Sequence, residues 1–217
     1  MPKHKHIAIS VDDIFDWCRK NNIDIVEGCK ECFSKLNKVM QAQIKSSIPI
    51  ITIYLLSEDA DKIQNFVSFC DCAADFFYEL CMNPRIIEKK IKISIFGKWY
   101  NMPSRLIESL KKAIDETKEN DDFFANFCIN YDGQEEIVDA CKLIAKQVQL
   151  GKIDHEMITK ETVKENIYSS YFIPPDVYLI YGERKWTGLL LWDSPKSRII
   201  FAGKSFMEFE ESDFEKC

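Results

Sequence analysis

With 217 residues, 46% hydrophobic and 29% charged, the chain has the size and balance of one globular domain with a substantial core, which excludes a disordered segment. A net charge of -6 without a basic stripe argues against a nucleic-acid surface. The longest apolar runs, such as residues 48–56, fall far short of the roughly 20 residues a membrane-spanning helix needs. The N-terminus is basic but has no long apolar signal core, so a cytosolic protein is expected.

In chain order, residues 6–10 are short and β-rich. Residues 12–20 and 26–44 carry helical spacing, and 48–56 form an almost wholly apolar strand. Residues 59–82 predict one long helix, with Ile63, Phe66, Val67, Cys70, Ala74, Phe77 and Cys81 at helical spacing and Pro84 at its end or just beyond. A strand over 91–96 precedes a helix over 104–117, started by Pro103 and Ser104. A strand over 123–129 is followed by a helix over 133–150 that stops at Gly151. Residues 153–175 are the least regular, and Pro174-Pro175 ends any helix there. Strands over 177–181 and 198–201 complete the pattern. Alternating helices and fully apolar strands predict an α/β fold, a central, mainly parallel sheet flanked by helices in a single domain spanning 1–217.

In such a sheet, ligands sit at the carboxyl ends of the strands. That selects Asp12 and Asp13, Ser57 to Asp59, Gly97 and Lys98, Asn130 to Gln134, and Gly182 to Lys185. Nine cysteines raise the question of zinc or disulfides. Cys29 and Cys32 share a helical face, and Cys70 and Cys72 lie close by, so reduced, packed cysteine is the expectation. His4, His6 and His155 support no catalytic assignment, and His6 at the head of a strand is expected to be structural. Asp12, Asp13 and Asp16 present either a metal cluster or helix-capping carboxylates, and capping is favoured.

Three stretches carry a resemblance. HIAISVDDIFDW (6–17), NFCINYDGQEEIV (126–138) with GKIDHEMITKETV (151–163) after it, and PPDVYLIYGE (174–183) with TGLLLWDS (187–194) occur in order along the chain. Together the sequence resembles the cis-prenyltransferase family, which includes the undecaprenyl diphosphate synthases. The resemblance implies a twisted, mainly parallel sheet and a dimer. It also implies an activity that joins isopentenyl diphosphate to an allylic diphosphate with a new cis double bond. Magnesium assists the departing diphosphate, and the product grows in a hydrophobic tunnel between sheet and helices.

Carried over by position, the resemblance makes Asp12 the catalytic aspartate and the magnesium ligand. It places Ser57, Asn130, Arg184, Lys185 and Thr187 at isoprenyl diphosphate substrates, and Phe66, Phe69, Phe76 and Phe77 along the tunnel. Departures are numerous. Asp13, Ile14, Phe15 and Asp16 stand where the family has Gly-Asn-Gly-Arg. Ile25 and Cys29 replace an arginine and a histidine, although Gly28 is kept. Asp59 and Ala60 replace an asparagine and a tryptophan. Ile180 and Gln134 replace arginines, and Arg198 replaces a magnesium-binding glutamate. The C-terminal Arg-x-Gly is absent.

A reaction on two diphosphates depends on cations and backbone donors. The pattern therefore implies a catalytically degenerate partner subunit in polyprenyl diphosphate (glycosyl carrier lipid) synthesis, forming a homodimer or a heterodimer with a motif-complete subunit. Peripheral membrane association through the lipid product would go with that role. Two alternatives stay open. One is an active enzyme making a short or irregular isoprenoid, the phenylalanines narrowing its tunnel. The other is an interaction protein on an inherited fold.

Overall fold

The protein is described by a computed structural model covering residues 4–11, 13–62, 64–215 and 217. Strands β1 (His6–Ser10), β2 (Ile50–Ser57), β3 (Ile91–Phe96), β4 (Phe123–Tyr131), β5 (Val177–Ile180) and β6 (Arg198–Phe201) form one sheet in the order β3-β4-β2-β1-β5-β6. Every pairing is parallel, so helices must cover both faces.

The strands look uniformly apolar in sequence, yet their residues alternate in space. Ile7, Ile9, Ile51, Ile53, Ala125, Phe127, Val177 and Leu179 face one core. Ala8, Ile50, Tyr54, Cys128 and Tyr178 face the other. The first core is covered by α1 (Ile14–Asn21), α2 (Ile25–Lys45), α3 (Phe66–Cys81) and α5 (Ser104–Thr117). The second is covered by residues 167–172 and 186–190, beside α6 (Gly133–Gln149).

The expected elements match except in four places. Residues 59–82 are not one helix. A 3₁₀ turn (Glu58–Lys62) and then Asn65, at a left-handed φ of 68°, precede α3. Asparagine tolerates that conformation, so a helix break hides inside an otherwise helical apolar pattern. Pro84 lies just beyond the end of α3, as expected, and also opens a short helix α4 (Pro84–Glu88), with the Asn83 side chain accepting the Arg85 N–H. The irregular stretch holds α7 (Lys160–Asn166), started by a Thr159–Thr162 capping box. A last short helix, α8 (Ser212–Glu215), follows β6.

Gly97 closes β3 at φ +99°, and a Cβ there would lie 2.5 Å from the Ile129 carbonyl oxygen and 2.8 Å from that of Asn130. Both obstacles are backbone of the neighbouring strand. Gly97→Ala is therefore expected to cost about 3 kcal/mol of stability, read as a lower urea midpoint at an unchanged slope. An unchanged midpoint would contradict this account.

Candidate functional site

The carboxyl ends of β1 and β5 meet the first turn of α1. Asp13 occupies the N-cap position of α1, but its side chain caps nothing in the helix. This corrects the capping expectation for Asp13. Its Oδ2 instead accepts the Phe206 N–H at 3.3 Å, with Ser205 also donating to the carboxylate. Oδ1 is buried without a hydrogen-bond partner. Burial pushes the Asp13 carboxyl up, and the Ser205 and Phe206 donors pull it part of the way back. Gly182, at φ +75°, makes this placement possible, because a Cβ there would stand 2.8 Å from the Asp13 Cβ.

Three concavities surround the same turn. One of about 520 Å³ has an apolar wall of Phe15, Cys18, Ile23 and Ile25 and a polar rim of Asp16, Arg19, Lys62, Gln64 and Asn65. A second, of about 250 Å³, lies between α1 and the 182–183 and 203–205 turns, with Lys20 and Lys204 in its lining. A third, of about 140 Å³, is lined by Asp13, Asp16, Tyr181, Glu183, Lys185 and Thr187. Cations and acids are interleaved here. Arg19 is paired with Asp16, Lys62 with Asp59, and Lys204 with the buried Asp213 at 2.7 Å.

The expected site residues separate into groups. Lys185 and Thr187 line the smallest concavity, and Arg184 and Lys185 are exposed. The Thr187 hydroxyl is buried with no hydrogen-bond partner. Ser57 and Asn130 fall elsewhere, at the ends of β2 and β4. The Asn130 amide donates to the Lys98 carbonyl and the Lys98 N–H to the Asn130 carbonyl, both at 2.9 Å. Lys98 Nζ lies 2.5 Å from Glu135 and 3.7 Å from Glu58, and its hydrogen bond to Glu135 raises its pKa. That cluster is internally satisfied. Asp12 lies outside the described residues. Arg198 is the first residue of β6, paired with Val177 at the amino ends of the strands. It stands three residues before the carboxyl end of that strand, so the substitution does not set a cation among the α1 concavities.

Arg19 and Lys62 escape a reading based on family positions. A periodicity signal was available: Arg19 follows Asp16 by three residues and Lys62 follows Glu58 by four, spacings that share a helical face.

Three of the four expected tunnel residues, Phe69, Phe76 and Phe77, belong to a packed aromatic array. Phe33 stacks on Phe76 at 4.7 Å and lies 6.0 Å from Phe69, which lies 5.3 Å from Phe15. Phe77 meets Phe127 edge-on at 5.0 Å. Phe69, Phe76 and Phe77 are buried, and Phe66 is partly buried against the same hydrophobic core. The rings fill the space between α2, α3 and the sheet as core.

A hard cation suits carboxylate oxygen. The orphaned Oδ1 of Asp13, with Asp16 one turn on, fits magnesium by donor type. Among the described residues no group of three or more His, Cys, Asp or Glu side chains is arranged to hold a metal ion. Among them, too, no helix is long and apolar enough to cross a membrane.

Residues 14–217 match a family model described as "Putative undecaprenyl diphosphate synthase". An isoprenyl transferase of Shouchella clausii is 28% identical over 98% of this chain and 83% of that protein. A tritrans,polycis-undecaprenyl-diphosphate synthase (geranylgeranyl-diphosphate specific) of Picrophilus torridus is 29% identical, over 98% and 85%. Among solved structures, a lavandulyl diphosphate synthase from Lavandula x intermedia, in complex with dimethylallyl diphosphate, superposes with a TM-score of 0.90. It is 22% identical, and the match covers 98% of this chain and 92% of that one. At that identity the likeness is one of fold.

Proposed function

This chain belongs to the prenyltransferase family of the undecaprenyl diphosphate synthases, and from that premise we propose that it acts on short isoprenyl diphosphates and does not build long polyprenyl chains. One observation carries the proposal. The space between α2, α3 and the sheet is filled by packed phenylalanines, while a cavity of about 520 Å³ with an apolar wall and a polar rim that includes Arg19 and Lys62 stays open beside α1. That volume suits a small ligand. An apolar wall with cations at one lip matches a prenyl tail ending in a diphosphate.

In this reading Arg19 and Lys62 hold the diphosphate, and Phe15, Ile23 and Ile25 take the tail. When the allylic C–O bond breaks, its electron pair leaves with the diphosphate, and the rim cations stabilise that charge. Magnesium, when bound, would neutralise diphosphate charge, with Asp13, Asp16 and Asp12 as its carboxylates. Lys185 and Thr187 on the other side of α1 would meet the second substrate.

Dimethylallyl diphosphate, bound in the lavandulyl diphosphate synthase structure, is the ligand to test first. Calorimetric titration is expected to show binding that Arg19→Ala or Lys62→Ala each weaken by about tenfold to a hundredfold. With magnesium, the protein should release a short prenylated product that disappears in Asp12→Ala. Long polyprenyl product would refute the reading, as would absence of binding.

A second reading, a degenerate partner in a homodimer or heterodimer, is favoured by Ile14 and Phe15, which offer no side-chain donor to phosphate in the first turn of α1. Co-expression with a motif-complete homologue separates the two: stable co-purification without independent product supports the partner role.

A further inference from the structure

Phe15 belongs to two places at once. Its ring is part of the apolar wall of the cavity beside α1. The same ring lies 5.3 Å, centroid to centroid, from Phe69 of α3. Through Phe69 it joins the array that runs on by way of Phe33 and Phe76 to Phe77 and Phe127. Those five rings are buried, and none of them lines the cavity. Among the described residues, Phe15 is thus the ring of the array that stands between open space and filled core.

Close packing fixes the backbone beneath that ring. Ile14 is fully buried in the core. Asp13 ties the start of α1 to the Ser205-Phe206 turn. One turn on, Cys18 Sγ lies 2.1 Å from where a Cβ on Gly28 would be, so α1 sits against α2 at a separation that needs glycine. The helix is held at both places, and the ring stands where that backbone puts it. Phe15, Cys18 and Arg19 are spaced i, i+3 and i+4, so one helical face presents the ring, the thiol and the rim cation to the same cavity. From Phe15 to Arg19 the helix rises about 6 Å, on the order of the length of one isoprene unit.

We propose that Phe15 is the specificity-determining residue that limits the length of the prenyl tail this cavity accepts. A diphosphate held at Arg19 brings its first isoprene unit up to the ring. A second unit would need the volume that Phe15 fills in front of Phe69. The proposal rests on the short-substrate reading above and names the side chain that enforces it. Trimming the ring extends the cavity to the face of Phe69. A longer tail then gains by covering that apolar surface, which would otherwise meet water.

The test compares dimethylallyl diphosphate with geranyl diphosphate by calorimetric titration. The two share a head group and differ by one isoprene unit, so the ratio of their Kd values cancels changes in how the diphosphate is held. The wild-type protein should favour dimethylallyl diphosphate by about tenfold, and Phe15→Ala should favour geranyl diphosphate by about the same factor. Phe15→Leu, which keeps an apolar side chain on the helix, should fall between them. Phe76→Ala removes a ring of the same array that does not line the cavity. It should lower the thermal midpoint and keep the wild-type ratio. An unchanged ratio in both Phe15 variants, with dimethylallyl diphosphate still bound by the wild type, would overturn this proposal and leave the short-substrate reading standing. A shift just as large in Phe76→Ala would also overturn it, because loosening anywhere in the array would then suffice. Binding of neither diphosphate by the wild type overturns both.

Discussion

Glu136→Ala is expected to destabilise the protein by about 4 kcal/mol, because it leaves several buried donors unpaired at once. Glu136 is fully buried on α6. Its Oε2 accepts the Tyr131 hydroxyl at 2.5 Å, and its Oε1 accepts the Tyr168 N–H at 2.9 Å and the Ser169 N–H at 3.4 Å. Desolvation pushes its carboxyl up, and those donors draw it part of the way back. The Tyr131 hydroxyl also accepts the Leu190 N–H at 3.1 Å, while the Tyr178 hydroxyl donates to the Leu190 carbonyl at 3.1 Å. Leu190 is held at a left-handed φ of 45°, a strained conformation for leucine that needs these restraints. The same residue ends the segment that carries Arg184, Lys185 and Thr187. Glu136→Gln keeps an acceptor and should cost only about 1–2 kcal/mol. Urea denaturation followed by tryptophan fluorescence measures both. Limited proteolysis should show faster cleavage within 182–190 for the alanine variant. A loss below about 1 kcal/mol for Glu136→Ala would mean the network is dispensable.

The parallel sheet was legible because strand-length apolar runs alternate with helical spacing, and β1, β3 and β6 have the bounds that pattern predicts. What stayed hidden depends on single residues acting against their surroundings. The turn at Asn65 leaves the helical period of 59–82 intact in sequence, so only its left-handed backbone reveals the break. The start of α7 depends on a threonine pair, a weak signal within a polar stretch.

At the site, comparison by position exposed the loss of arginine and glycine around α1. It did not name the cations that line the cavity beside α1. Arg19 and Lys62 come from a helix and a 3₁₀ turn that share no sequence neighbourhood. Helical spacing of the rings favours core packing over a tunnel wall, and Phe69, Phe76 and Phe77 do pack on Phe33 and Phe127 as core. Arg198 makes the complementary point. Its alignment with a metal-binding glutamate suggested a cation in the site, but the register puts it at the amino end of β6.

Acid should destabilise the protein through His6, whose neutral ring is built into the centre of the sheet. His6 Nδ1–H donates to the Ile173 carbonyl at 2.7 Å, which leaves Nε2 to accept the Thr52 hydroxyl at 2.8 Å. Thr52 Oγ1 in turn accepts the Asn126 amide at 3.1 Å. Burial drives the His6 pKa down to about 4. The Ile173 hydrogen bond and Asp176 oppose that shift, and Lys164 adds to it. A folded pKa below the unfolded value of 6.5 means the unfolded chain takes the proton first. Above pH 6.5 the ring is neutral in both states and contributes no pH dependence. As pH falls from 6.5 to about 4, stability drops by roughly 3 kcal/mol, since each pKa unit is worth about 1.4 kcal/mol. Asp13 and Glu136 act with the opposite sign, their raised carboxyls gaining stability from protonation as pH falls. The His6 contribution is therefore read as the difference between wild type and His6→Asn, which can keep a donor to Ile173 but has no proton to gain. Denaturation midpoints measured between pH 7 and pH 4 should converge for the two proteins as pH falls. Parallel pH curves would show that His6 titrates normally and that its hydrogen bonds to Ile173 and Thr52 do not depend on a neutral ring.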